Sequence, residues 1–244
     1  MDVLIDFHSH ILPEIDDGSS SPEESVAMLS MEAEQGISCV VLTPHFRAWE
    51  EHPEDFLLRR ANAEAALRRG MENVCDLPAI CLGAEVAYFR GISESDALGK
   101  LAISGGNAIL IEMPPAPWPE KVYEELEQIW HNWGILPVIA HIDRYVRPLR
   151  TYGIPERLAQ LPVFVQANAS FFLRRGTCNM AMRMLKKNQI HLLGSDCHNM
   201  NSRKPNLEAA ASRICEKLGR EAILRICAHQ RRALGLDQIT PDTP

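Results

Sequence analysis

Short apolar runs alternate with helix-periodic stretches along this chain, and that alternation constrains the fold more than any other feature. The runs fall at 3–8, 38–43, 79–85, 108–112, 136–141, 162–168 and 190–195. Ala108-Ile109-Leu110-Ile111 and Pro137-Val138-Ile139-Ala140 are continuously apolar, as strands of a parallel sheet are when both faces are covered. Helical signals fill the gaps. Ser21-Pro22-Glu23-Glu24 reads as a capping box with proline at the first helical position, and Gly36 as the stop. Val122, Leu126, Ile129 and Trp133 make one apolar stripe ended by Gly134. Further helices are expected over 53–69, 178–188, 206–218 and 220–233. Seven strands alternating with helices predict an α/β barrel, incomplete or distorted. The whole chain, 1–244, reads as one domain, with a flexible tail over the last eight or so residues. In such barrels the chemistry sits at the C-terminal ends of the strands.

Charge and cysteine usage exclude several functions. The formal charge is −7, which opposes non-specific binding to nucleic acid or to an anionic membrane. No apolar run approaches the roughly 18 to 20 residues of a membrane-spanning helix. Met1-Asp2-Val3-Leu4-Ile5-Asp6 lacks the basic segment of a secretory signal. Seven scattered cysteines with no C-x-x-C pair read as reduced thiols, which points to the cytoplasm.

Six of the strand runs end in His, Asp or Glu. They are His8-Ser9-His10, followed by Asp16-Asp17-Gly18; Thr43-Pro44-His45; Gly83-Ala84-Glu85; Ile111-Glu112-Met113; Ala140-His141-Ile142-Asp143-Arg144; and Ser195-Asp196-Cys197-His198. In extended chain, residues i and i+2 face one way, so His8 and His10 converge. Imidazoles with carboxylates suit zinc, manganese or iron, and the absence of clustered cysteine argues against a structural zinc site. His52, His131, His191 and His229 lack this setting and read as solvated or satisfied. The pattern predicts a multinuclear metal site. Three divalent ions would outweigh the four charges of Asp17, Glu85, Glu112 and Asp196, and Arg144 and Arg203 could add to that excess. Such a cavity suits a phosphate ester, whose oxygens metals polarise and arginines grip in bidentate fashion.

These motifs, taken as an ordered set from residue 6 to about 205, resemble the polymerase and histidinol phosphatase (PHP) superfamily. More narrowly, His8-Ser9-His10-Ile11-Leu12-Pro13 through Asp16-Asp17-Gly18, Ala140-His141-Ile142-Asp143-Arg144-Tyr145 and Ser195-Asp196-Cys197-His198-Asn199 resemble bacterial manganese-dependent protein-tyrosine phosphatases of capsule and exopolysaccharide operons. The resemblance implies a distorted (β/α)7 TIM-like barrel. It implies two or three divalent ions, manganese first, with iron or zinc as alternatives. His8, His10, Glu85 and Asp196 would hold the first. Glu85 would bridge to a second held with Glu112 and His141. Asp17, His45 and His198 would hold a third, Asp16 being a rival to Asp17. Arg144 and Arg203 would hold the phosphate. A metal-bound hydroxide would attack phosphorus, with no phosphoenzyme. The partner would be a phosphotyrosine protein, an autophosphorylating bacterial tyrosine kinase. Asp143 stands where that family often has glutamate. Residues 46–62 and 113–121, which follow the second and fourth strands, lie outside the motifs; barrel enzymes set specificity in such loops.

Three other readings compete. Cys197-His198-Asn199-Met200-Asn201-Ser202-Arg203 has the C-x5-R spacing of cysteine-dependent phosphatases, but it lacks the glycine of a phosphate cradle, and Asp196 opposes a thiolate. The same ligands would serve a histidinol-phosphate phosphatase. A non-catalytic regulatory subunit is the third, against which the full ligand set argues.

Overall fold

The computed structural model describes residues 4–147 and 150–236. The expected C-terminal tail, and residue 3 of the first run, lie outside them. Among the described residues nine strands form: β1 (Leu4–Ser9), β2 (Ile37–Leu42), β3 (His45–Phe46), β4 (Ala79–Leu82), β5 (Glu85–Ala87), β6 (Ala108–Glu112), β7 (Leu136–Ile139), β8 (Phe164–Asn168) and β9 (Leu192–Gly194). Nine strands are described where seven were expected: the third run breaks at Gly83-Ala84 into β4 and β5, and β3 forms beyond the end of the second run, past Thr43-Pro44, where proline offers no N–H.

Every strand ladder is parallel. The strands lie in two sheets, ordered β1-β2-β4 and β3-β5-β6-β7-β8-β9. The Asp196 amide donates to the His8 carbonyl at 2.8 Å and the His10 amide to the Cys197 carbonyl at 2.9 Å, so the segment after β9 returns to the end of β1. The parallel sheet therefore curls, and the β1 and β9 ends stand side by side.

Helices cross between the strands: α1 (Pro22–Glu34), α2 (Pro53–Met71), α3 (Leu98–Leu101), α4 (Glu120–Trp133), α5 (Ile154–Leu158), α6 (Ala169–Leu173), α7 (Cys178–Lys186), α8 (Leu207–Leu218) and α9 (Arg220–Ala233). Ser21 caps α1 through its hydroxyl, which accepts from the Glu24 amide at 3.2 Å. The reciprocal half of the expected capping box is shifted by one residue: Glu24 accepts from the amide and hydroxyl of Ser20, not from Ser21. Gly134 ends α4 at φ 64°, a left-handed conformation that glycine adopts without a Cβ clash.

Side-chain alternation sorts the sheet into two faces. On β6, Ile109 and Ile111 pack in the large core beneath the helices, while Ala108 and Leu110 join a smaller cluster with Ile5, Phe7, Val138, Phe164 and Leu192. Register partners share a face, so Glu85 beside Leu110, and Gln166 beside Leu192, stand on the face of the smaller cluster. On β1, Asp6 pairs with Val40 but Ser9 with Leu42, so one extra residue is inserted between them. This bulge switches the alternation, and His8 and His10 reach the face that Ile5 and Phe7 occupy below.

Candidate metal centre

The ends of β1 and β6, the starts of β3 and β5, and the segments after β1, β7 and β9 bring all nine expected ligands together. His8 Nε2 and His10 Nε2 are 3.1 Å apart and each lies 3.3 Å from Glu85 Oε2. Asp196 Oδ1 is 3.7 Å and 3.6 Å from the same two nitrogens. The other Glu85 oxygen, Oε1, faces away from this group, 2.6 Å from His141 Nε2, which is itself 3.5 Å from Glu112 Oε1. Glu85 thus has one oxygen in each set, the disposition a bridging carboxylate needs. On the outer side, Asp17 Oδ1 is 3.4 Å from His45 Nε2 and 3.6 Å from His198 Nε2. Asp17 is 66% exposed, whereas Glu85, His8, His10 and His141 are fully buried, so the cluster runs from core to surface.

The donor set fits metal ions. His141 Nδ1 and His198 Nε2 are buried and have no hydrogen-bond partner among the described residues, and Glu85 Oε2 is crowded by three imidazoles, His45 Nδ1 at 3.0 Å and His8 and His10 at 3.3 Å. Buried polar atoms without partners are rare and call for an explanation. The imidazoles are also oriented from behind. His10 Nδ1 meets Asp16 Oδ2 at 2.7 Å, His8 Nδ1 meets Gln166 Oε1 at 3.4 Å, and His198 Nδ1 meets the Asp196 carbonyl at 3.0 Å. These acceptors favour the Nδ1–H tautomer and leave each Nε2 lone pair directed into the cluster. Asp196 and His141 have φ of 54° and 29°, a left-handed backbone unusual for residues with a Cβ. Strained backbone of this kind concentrates at functional sites.

Electrostatics keep the carboxylates ionised. Burial raises the Glu85 and Asp196 carboxyls, but the surrounding imidazoles outweigh it and hold both below the usual carboxylate range. Burial works against a proton on His10, yet Asp16 and Glu85 overcome it and push the group up to about 10. His198 goes the other way, down to about 4, through burial and the charge of His10.

Both expected phosphate-binding arginines stand on the open side. Arg144 donates from Nη1 to Glu112 at 2.8 Å and from Nη2 to Asp196 at 3.1 Å, while Arg203 Nη2 donates to the other Asp196 oxygen at 2.8 Å. They line a cavity of about 300 Å³ with Asp143, Asn168, Arg174 and Lys204.

The strand-end reading overlooked a layer of supporting residues. Gln166 Oε1 also accepts the His141 amide at 2.5 Å, and Asn168 Nδ2 donates to Asp196 at 2.8 Å. Asp143 accepts the Asn168 amide at 3.1 Å. Asp6 Oδ1 accepts the amides of His8 at 3.2 Å and Ser195 at 2.8 Å, tying β1 to the segment after β9. Two amides at alternate positions of the apolar run Val163–Ala167 and its end were the available signal for Gln166 and Asn168. Gly194 has a similar role: a Cβ there would meet His8 Cβ at 2.6 Å and Gln166 Nε2 at 2.8 Å. Of the remaining histidines, His191 stacks on Phe164 with ring centres 4.9 Å apart and accepts the Val165 amide, so it is satisfied structurally.

The C-x5-R reading does not survive the geometry. Cys197 is fully buried, and burial with the charges of Asp6 and Glu32 pushes its thiol well up. The loop amides are already committed: those of His198 and Asn199 to the Arg203 carbonyl, those of Asn201 and Arg203 to the Asn199 side chain. No phosphate cradle is left.

A parallel α/β fold with clustered histidines and carboxylates at its strand ends defines a metallohydrolase-like class of protein. Residues 4–234 match the capsular polysaccharide synthesis family CpsB/CapC, and the chain belongs to that family. It is 30% identical to the tyrosine-protein phosphatase CpsB of Streptococcus pneumoniae, over 97% of this chain and all of that one. It is 28% identical to the tyrosine-protein phosphatase YwqE of Bacillus subtilis, over 89% of this chain and 86% of that one. Among solved structures, one from work on YwqE and CpsB as metal-dependent tyrosine phosphatases superposes with a TM-score of 0.82 at 20% identity, covering 99% of this chain and 98% of the other. That likeness establishes a shared fold.

Proposed function

We propose that this chain is a metal-dependent protein-tyrosine phosphatase acting in capsule or exopolysaccharide synthesis. The observation that carries the reading is the placement of Glu85, one oxygen toward His8, His10 and Asp196 and the other toward His141 and Glu112, with two arginines on the open side. We read the curled parallel sheet as the seven-stranded distorted barrel of the PHP superfamily, with β3 counted with β2 and β5 with β4. We take 1–244 as one such domain.

His8, His10, Glu85 and Asp196 would hold a first ion, Glu85, Glu112 and His141 a second, and Asp17, His45 and His198 a third. Manganese suits this mixed imidazole and carboxylate set, as iron or zinc would. Divalent ions there supply Lewis acidity toward phosphoryl oxygens and make water acidic near neutral pH. Arg144 and Arg203 orient the phosphoryl group and compensate charge that develops on its oxygens. Water is then the nucleophile, and Cys197, which is fully buried, takes no part in the attack. Relatives named as tyrosine-protein phosphatases support phosphotyrosine protein as substrate, an autophosphorylating tyrosine kinase being the partner this implies. Seven free cysteines suit the reducing cytoplasm, and no described helix is long and apolar enough to cross a membrane.

The test compares a phosphotyrosine peptide, a phosphoserine peptide and histidinol phosphate, with manganese and with chelator. We expect fastest hydrolysis of phosphotyrosine and loss of all activity with chelator. Faster turnover of histidinol phosphate overturns the substrate assignment, and no hydrolysis at all returns the chain to a regulatory role.

A further inference from the structure

The two stretches outside the sequence motifs meet in space. Trp49, from the loop between β3 and α2, and Met113, Pro114 and Pro115, from the loop after β6, line one cavity of about 450 Å³. Ala87, Tyr88 and Tyr145 complete its walls, and Glu112 and Arg144 stand at its inner end. Arg144 also lines the polar cavity described above, so its guanidinium separates a basic compartment from an apolar one.

One wall of the apolar compartment is fixed before anything binds. The Tyr88 hydroxyl donates to Glu125 at 2.5 Å, and Glu125, itself buried, also accepts the Gly91 amide at 2.9 Å. The Met113 amide donates to the Tyr145 hydroxyl at 2.8 Å, and Trp118 Nε1 to the Pro114 carbonyl at 2.7 Å. The Tyr145 ring is itself braced by Trp118, with ring centres 5.1 Å apart. The facing wall is different. Trp49 is 63% exposed, and its indole makes no hydrogen bond among the described residues, so this large apolar surface is left to water.

We propose that this compartment is the aryl slot of the site: the ring of the substrate's phosphotyrosine enters between Trp49 and the wall of Tyr88, Met113 and the two prolines, while its phosphoryl group lies at Arg144. The inference rests on the phosphatase reading and adds the residues that select an aromatic over an aliphatic ester. A flat ring gains from offset or edge contacts with an indole and a phenol, and from a wall that loses no conformational freedom on binding. The shorter, flexible side chain of phosphoserine reaches the same arginine but cannot fill the slot.

The experiment uses the full chain loaded with manganese and two unhydrolysable probes, phenylphosphonate and ethylphosphonate, titrated calorimetrically. We expect the parent to bind phenylphosphonate about tenfold more tightly. Trp49→Ala should lower that ratio at least twofold, and Trp49→Phe should recover most of it, the scale of one aromatic pair being about 0.5 to 1.5 kcal/mol, or about 2- to 13-fold. Because Trp49 is exposed, neither substitution removes core packing. Equal affinities in the parent, or a preference unchanged in Trp49→Ala, overturns the slot. An aryl preference lost in Trp49→Ala, in a protein that hydrolyses no phosphate ester, upholds the slot and overturns the phosphatase reading alone.

Discussion

Asp16 Oδ2 lies 2.7 Å from His10 Nδ1 and also accepts the His45 amide at 3.0 Å, so this carboxylate is turned behind the imidazole and not into the cluster. Its other oxygen accepts the Gly18 amide at 2.9 Å. The neighbouring Asp17 instead faces His45 and His198. Spacing alone left the two aspartates equivalent as ligands; the geometry favours Asp17 and makes Asp16 a residue that positions His10. Asp17→Asn should lower the bound metal by one ion per chain. Asp16→Asn should keep the full stoichiometry at saturation but weaken affinity by roughly 10- to 100-fold, the usual effect of losing an outer partner of a ligating histidine. Elemental analysis with a metal titration separates the two, and identical losses in both variants would refute the distinction.

What was legible in the sequence follows a simple division. The expected ligands stand where apolar runs stop, so His8, His10, His45, Glu85, Glu112, His141, Asp196 and His198 announce themselves by polarity against an apolar background. Strand existence was legible for the same reason. The interruptions at Thr43-Pro44 and Gly83-Ala84, and the bulge between Asp6 and Ser9, were not, because they depend on how neighbouring strands register. Gln166 and Asn168 offered only a weak signal, two amides at alternate positions of an apolar run, and Asp6, a carboxylate inside a strand, offered none until its partners across the sheet are known. The roles of Trp49 and Met113 were illegible for the same reason: the two loops are far apart in the chain and meet only in the fold.

Cys197 provides a test of the nucleophile. Its full burial and raised thiol oppose any role as attacking group. Cys197→Ser should therefore keep most of the phosphatase activity, while chelator abolishes it in parent and variant alike. Loss of activity in Cys197→Ser with metal content unchanged would sink the water nucleophile.

Glu32 on α1 is fully buried, facing the Asp6 carboxyl and the Cys197 sulfur within 4.8 Å. Burial, reinforced by the charge of Asp6, pushes its carboxyl from 4.5 up to about 10. A carboxyl raised on folding contributes stability that is fully present below its unfolded value near 4.5 and is lost as pH rises toward about 10. Thermal unfolding in chelator should show the parent losing Tm steadily from about pH 6 to pH 9. Glu32→Gln, which cannot ionise, should flatten that decline. Parallel curves for the two proteins would mean that Glu32 is not held neutral in the fold.

Arg144 offers the sharpest test of the phosphate site. It is 40% exposed, and its two terminal nitrogens reach Glu112 and Asp196 from the solvent side. Arg144→Ala removes a charge-assisted donor without removing a ligand, so metal content should not fall. A contact that strengthens as charge develops on the phosphoryl oxygens should appear in kcat as well as KM. The expected loss is roughly 2 to 4 kcal/mol, the scale of one well-placed donor in a water-poor site. That corresponds to about 30- to 1000-fold in kcat/KM. Arg144→Lys should recover only part of it, because an ammonium keeps the charge and loses the planar fork. His141→Ala is the contrasting variant: it should lower metal content and rate together, since His141 Nε2 faces Glu85 at 2.6 Å. If Arg144→Ala stays within about threefold of the parent on a phosphotyrosine peptide, a change below 1 kcal/mol, its pairing with Glu112 and Asp196 is a surface ion pair and the phosphoryl group binds elsewhere.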